Sequence, residues 1–289
     1  MEYSEPKALA DYACHTGEGP AYHPDEDRVY WVDIPAGRLF RLDPNTGQHE
    51  MVLETDPIGG FTIQEDGSLL LFMAKGAIKS FADGKLRTVI EEIPDERTTR
   101  FNDVVADPAG RVFCGTMPTE HRPGRLYRLD TDGTLDIVLE GVGCANGMGF
   151  TSNLLKMYFT DTSTREISVF DYDRDTGELS NRHRFVKTPE GEGWPDGMCV
   201  DEQGYVWSTR WDGGCVVRYA PDGQEVLRIN LPVRKVSSVT FGGPDLRDIY
   251  LTTAGGNAKE TDGDHAGALF HIRSSVTGVM DFRSRIKIP

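Results

Sequence analysis

The chain has 289 residues, with 31 Lys and Arg against 46 Asp and Glu, a formal charge of −15. A surface this acidic repels phosphate backbones and anionic lipid, which excludes nucleic acid and membrane surfaces as expected partners. Hydrophobic residues at 38%, charged residues at 27%, 32 Gly and 16 Pro exclude a disordered or fibrous chain and describe a globular one rich in turns. Length alone suits two domains of about 150 residues, unless one large β architecture uses the whole chain.

At the N-terminus, MEYSEPKALA carries acids and a proline where a secretion signal needs a basic patch and an apolar stretch. The longest apolar run, Leu69 to Ala74, is too short to span a bilayer, so a cytoplasmic protein is expected. One short apolar, β-rich segment then recurs in chain order: VYWVD from Val29, LLLFM from Leu69, VFCGT from Val112, MYFTD from Met157, VWSTR from Val206 and IYLTT from Ile249. With the second residue of each as anchor (Tyr30, Leu70, Phe113, Tyr158, Trp207, Tyr250), the intervals are 40, 43, 45, 49 and 43 residues.

A turn such as HPDEDR, QEDGS or DPAGR precedes each anchor strand, and a second strand such as GRLFRLD from Gly37 or GRLYRLD from Gly124 follows it. Helix periodicity with a cap is nearly absent. About four short strands per repeat of roughly 44 residues match one propeller blade, so an all-β, six-bladed β-propeller is expected, with residues 1–289 as one domain. Neither the WD40 nor the kelch signature occurs.

A propeller brings residues at one phase of every repeat to one height around the axis. Eleven or twelve positions before the anchors stand Glu18, Ile58 and Gly59, Asn102, Asn146, Asp196 and Ser238. Just before the anchor strand, this phase belongs on the innermost strand, facing the tunnel. A tunnel mouth lined by Glu, Asp and two Asn offers hard oxygen ligands suited to Ca²⁺, Mg²⁺ or Mn²⁺, with Zn²⁺ and Fe²⁺ less favoured without His or Cys. Taken singly, Asn146-Gly147 and Asp196-Gly197 read as turn dipeptides; their recurrence in phase favours the ligand ring.

HTGEGPAYH with Glu18, RFNDVVADPAGRVFCGTM with Arg100, Asn102 and Asp103, CANGMGF with Asn146, and WPDGMCVDEQGYVW with Asp196 resemble the signature segments of the SMP-30/gluconolactonase/regucalcin family. The resemblance runs over nearly the whole chain and implies the same six-bladed propeller. It implies that Glu18, Asn146 and Asp196 hold one divalent metal ion, and that Arg100 and Asn102 contact substrate. Glu120, in the variable PTEHRPG loop, is the best match for the family's acidic substrate contact.

The implied activity is hydrolysis of sugar-acid lactones, an aldonolactone giving an aldonic acid. A cation with open positions polarises the carbonyl and activates water. Asp196, beside both, is the expected general base, and Arg100 offers planar bidentate donors that a lysine lacks. A phosphotriesterase-like ester hydrolase on the same metal, or a non-catalytic calcium-binding regulatory propeller, are the alternatives. The expected partner is a small-molecule sugar lactone, with the protein a monomer or weak homo-oligomer.

Other features point elsewhere and fail. No G-x-S-x-G or H-E-x-x-H segment occurs. Cys14 and Cys144 lie near ligand positions, but no histidine pattern beyond His15 supports a thiol nucleophile. The five cysteines are odd in number, lack C-x-x-C spacing and are expected as reduced, mostly apolar-packed thiols. His15 and His23 are expected as structural hydrogen-bonders. Asp171, Asp173 and Asp175 mimic a calcium loop whose glycine and terminal glutamate are misplaced, so a hairpin turn is expected. GVGCAN from Gly141 lacks the last glycine and the helix of a dinucleotide site. Trp194, Trp211 and Phe61 fit equally at the pocket mouth or between blades.

Overall fold

The computed structural model describes residues 2–288. Six four-stranded antiparallel sheets are arranged as blades around a central tunnel. Blade 1 runs outward from the axis as Gly17–His23, Arg28–Asp33, Arg38–Leu42 and His49–Glu54. The inner strands of blades 2 to 5 are Ile58–Ile63, Phe101–Ala106, Ala145–Phe150 and Trp194–Val200. Blade 6 is Val236–Gly242, Asp248–Thr253 and Ala268–Arg273, completed on its outer edge by Lys7–Asp11 from the other end of the chain. The fold is the expected all-β six-bladed propeller. Among the described residues, α-helix is confined to Lys259–Asp262, and no helix is long and apolar enough to cross a membrane.

The anchor strands are the second strand of each blade. Each blade is covered on both faces by its neighbours, so strands near the axis lose the alternation of a half-exposed sheet and become continuous apolar runs. Leu69–Met73 and Val112–Thr116 are buried at every position, whereas the outer strand His49–Glu54 has no buried residue. Anchor rings fill the spaces between blades: Trp207 meets Phe241 edge-on at 5.6 Å between centroids, and Tyr30 meets Phe61 at 6.5 Å. Burying one such side chain stabilises the fold by about 1.5–3 kcal/mol.

After blade 6 the chain crosses one face of the ring as a strap. Glu202 N donates to Thr277 O (3.0 Å), Ser284 N to Ile63 O (2.9 Å), Arg285 N to Gly110 O (2.8 Å) and Lys287 N to Thr131 O (2.9 Å). The strap thus ties blades 5, 2 and 3 together. It forms part of the wall of a tunnel cavity of about 350 Å³, to which Val279, Met280, Asp281 and Phe282 contribute.

The calcium-loop mimic is a hairpin turn, in which Asp173 Oδ1 accepts from the backbone N–H of Asp175 and Thr176 (both 2.9 Å), while Asp171 pairs with Lys156 (2.7 Å). All five cysteines are free thiols.

Candidate metal and substrate site

All six inner strands carry a shift of register against the second strand of their blade, and each falls at the phase singled out above: between Glu18 and Ala21, Ile58 and Gly60, Phe101 and Val104, Asn146 and Met148, Pro195 and Met198, and Val236 and Ser238. Such bulges re-aim side chains that a regular pleat would send into the sheet. The Asn-Gly and Asp-Gly pairs are therefore strand residues, not turns. Their glycines serve close approach: a Cβ on Gly147 would stand 2.6 Å from Asp196 O, and one on Gly197 would stand 2.2 Å from Ser238 Oγ. Adjacent inner strands can close up only because these positions are bare.

Glu18, Asn102, Asn146 and Asp196 come to the same end of the tunnel and are 7, 7, 5 and 4% exposed. Asn102 Nδ2 donates to Asn146 Oδ1 (3.2 Å) and to Ala145 O (2.8 Å), joining blades 3 and 4. Arg100 Nη1 donates to Asn102 Oδ1 (2.6 Å) and Phe101 O (2.9 Å), and pairs with no carboxylate at ion-pair distance among the described residues. Glu120 is exposed on the 118–123 loop, outside the buried ring, and makes no hydrogen bond or ion pair with any described residue.

Burial pushes the Glu18 carboxyl well above its ordinary range, and the charge of Asp103 adds to this; the Gly19 N–H, Arg100 and Ser238 pull the other way. Asp196 is raised for the same first reason, then by Glu18 and Asp103, against the pull of Arg100 and Arg210. Desolvation also pushes Asp103 up, to about 6. Arg100 is itself lowered by burial, although the charges of Glu18 and Asp196 support its cationic form.

A divalent cation beside these carboxylates would relieve this electrostatic imbalance. The Asp196 side chain accepts no hydrogen bond from any described residue, and Glu18 Oε2 accepts one from Gly19 N (2.9 Å). Two carboxylates and a carboxamide make a hard-oxygen set that fits Ca²⁺, Mg²⁺ or Mn²⁺. No group of three His, Cys, Asp or Glu side chains is gathered for a metal among the described residues, so a cation held here would need the asparagine as third donor.

Three contributors carry no signal in the phase pattern as a set. Asp103 follows Asn102 within the bulge and lines the cavity on the strap side of the ring. Arg210 is a fully buried guanidinium whose Nη donors go to Ser208 Oγ (2.8 Å), Thr209 O (2.9 Å) and Tyr219 OH (2.5 Å), leaving its charge without a paired acid among the described residues. Thr162, in the turn after the anchor strand of blade 4, accepts from Asn146 Nδ2 (2.9 Å). The cavity itself has none of Glu18, Asn102, Asn146 or Asp196 in its wall; it is the tunnel beneath them.

The aromatic candidates divide. Phe61 lines the lower cavity. Trp194 is half-buried with the Arg165 guanidinium 3.7 Å from its ring centroid, and Trp211 is half-buried with Lys235 Nζ at 5.5 Å. His23 is buried and bonds Gly67 O (2.9 Å), as expected, whereas the exposed His15 makes no side-chain hydrogen bond with a described residue. Burial pushes the Cys14 and Cys144 thiols up to about 12, which keeps both protonated and poor as nucleophiles.

Residues 16–255 match the family described as the SMP-30/gluconolactonase/LRE-like region. The chain is similar to pentonolactonase XacC of Haloferax volcanii, with 52% identity over 97% of this chain and 98% of that protein. It is 35% identical to 6-deoxy-6-sulfogluconolactonase of Pseudomonas putida, over 91% of this chain and 92% of that one. In fold it matches the crystal structure of a calcium-binding protein, regucalcin, from Agrobacterium tumefaciens, with a TM-score of 0.90, 23% identity and 98% of each chain covered.

Proposed function

The chain belongs to the SMP-30/gluconolactonase/LRE-like family, and on that premise we propose that it is a divalent-metal-dependent lactonase that opens sugar-acid lactones, with pentonolactones first among them. The observation that carries this reading is 52% identity to a pentonolactonase along nearly the whole chain, in a protein whose Glu18, Asn102, Asn146 and Asp196 share one buried ring.

Glu18, Asn146 and Asp196 would hold the cation. When bound, it supplies a Lewis acid for the lactone carbonyl and an acidified water. Asp196 takes a proton from the attacking water as the oxygen bonds to the carbonyl carbon. As the ring C–O bond breaks, Asp196 returns that proton to the leaving alkoxide oxygen. Its burial raises its proton affinity and so opposes the loss of basicity that a neighbouring cation imposes. Arg100, without a carboxylate partner, and Asn102 orient the oxygens of the lactone. Glu120 enters as a contact from the rim, outside the buried ring.

The test is a panel of pentono- and hexonolactones, followed by titration of released acid. Chelation should abolish turnover and a re-added cation restore it, and Asp196→Ala should lower kcat/KM by about 10³-fold. Hydrolysis indifferent to both the chelator and that substitution would sink the proposal.

A further inference from the structure

Four side chains from blades 3 and 4 form a hydrogen-bond chain that ends on the backbone of blade 5 and runs in one direction. Arg100 Nη1 donates to Asn102 Oδ1 (2.6 Å), Asn102 Nδ2 to Asn146 Oδ1 (3.2 Å), Asn146 Nδ2 to Thr162 Oγ1 (2.9 Å), and Thr162 Oγ1 to Pro195 O (2.8 Å). Both ends are chemically fixed, because a guanidinium only donates and a backbone carbonyl only accepts. Every link between them must then point the same way. A carboxamide has nearly the same shape in its two orientations, so hydrogen-bond partners, not packing, decide which atom faces where.

We propose that Thr162 is the positioning residue that sets the Asn146 carboxamide, holding Nδ2 on the blade 5 side and leaving the second lone pair of Oδ1, beside the one that accepts from Asn102, to ligate the cation. The proposal rests on Asn146 being a metal ligand. Thr162 spends its only proton on Pro195 O, so its oxygen is left to accept, and it accepts from Asn146 Nδ2. A reversed amide would aim its NH₂ at that of Asn102 and would present hydrogens to a cation.

The hydroxyl is itself held in place. Asp161 Oδ1 accepts from Cys144 N (3.0 Å) and Ser163 N (3.1 Å), and Oδ2 from Gly143 N (3.0 Å). Thr162 N donates to Cys144 O (3.1 Å). One carboxylate thereby ties the turn that carries Thr162 to the segment that leads into Asn146. If the hydroxyl is removed, Nδ2 keeps only Cys144 Sγ at 3.8 Å, a weak acceptor. The same hydroxyl links the Asn146 strand to the backbone immediately before Asp196, so two ligands from different blades share one brace.

The test is Mn²⁺ binding by calorimetric titration of the full chain, stripped of metal and without substrate. Thr162→Val should weaken Mn²⁺ binding about tenfold or more, as loss of a partner that orients a metal ligand does, while Thr162→Ser should stay within about threefold of the original protein. In an Asn146→Asp background, where both oxygens can ligate, Thr162→Val should matter less than about threefold. Thr162→Ala carries the same comparison if the valine protein does not fold. A hydroxyl-free protein that binds Mn²⁺ normally, a serine variant as weak as the valine, or a defect undiminished in the Asn146→Asp background overturns the proposal. Asp196→Ala separates the two readings. If it binds Mn²⁺ undiminished, the metal site itself is wrong and this proposal falls with it; if it alone loses binding, only the role of Thr162 is wrong.

Discussion

Gly197 lies so close to Ser238 of the next blade that a Cβ there would stand 2.2 Å from Ser238 Oγ and 2.7 Å from its Cα. Backbone as well as side chain blocks the space, so the strand that carries Asp196 has no room to accept alanine. Gly197→Ala should cost about 1–3 kcal/mol in denaturant unfolding, the usual range for overpacking. Adding Ser238→Ala should recover part of that loss by removing the nearest atom. Equal stability of the single variant and the original protein would show that blades 5 and 6 separate more easily than their packing implies.

Arg100 offers a fork of donors, one of them already committed to Asn102 Oδ1. Arg100→Lys keeps the charge and loses the fork. The expected effect on lactone hydrolysis is a KM raised about tenfold, with kcat changed less, because the role proposed for it is orientation rather than proton transfer. A fall in kcat with KM unchanged would move Arg100 from binding to the chemical step.

Asp281, on the strap, has a carboxyl pushed up to about 6 from 3.8, by burial first and against the pull of Thr240. Its side chain lines the tunnel cavity. Because the folded pKa exceeds the unfolded one, the folded protein binds more protons between pH 3.8 and 6, so this group's contribution to stability declines as pH rises through that window. Asp281→Asn mimics the protonated form. It should leave Tm unchanged at the acid end of the window and raise it at pH values above the window. A Tm difference that is the same at every pH would show that charge is not the cause.

The Cys144 thiol sits beside Asn146 and is held protonated by burial, with the charge of Asp196 adding to the effect. Cys144→Ala should keep kcat/KM within about threefold, and iodoacetamide should leave the native protein active, since only a thiolate alkylates readily. Loss of turnover on alkylation, with the alanine variant equally inactive, would point to covalent catalysis.

The repeat was legible because VYWVD and its five counterparts occupy strands that neighbouring blades cover on both faces, which leaves continuous apolar runs at a nearly constant interval. The phase of Glu18, Asn102, Asn146 and Asp196 followed from the same interval. What could not be read was the device that turns those side chains inward. A bulge is an offset between two strands, and no residue type announces it, so Asn146-Gly147 and Asp196-Gly197, taken singly, read as turns until the pairing was known. Thr162 and Arg210 escaped for a related reason: each acts through a partner brought near by blade packing, 16 residues away for Thr162 and Asn146. Glu120 had only a resemblance behind it and stands on an exposed loop.

The outer strand of blade 6 is Lys7–Asp11, paired with Ala268–Arg273. This pairing gives the ring its longest loop to close, and loop closure across most of the chain slows folding. During synthesis the segment around Ala8 waits unpaired while five blades are made, and its partner edge appears only at the end. The last step of maturation is therefore a race between docking of the two ends and capture of the free edge at Ala268–Arg273 by another chain.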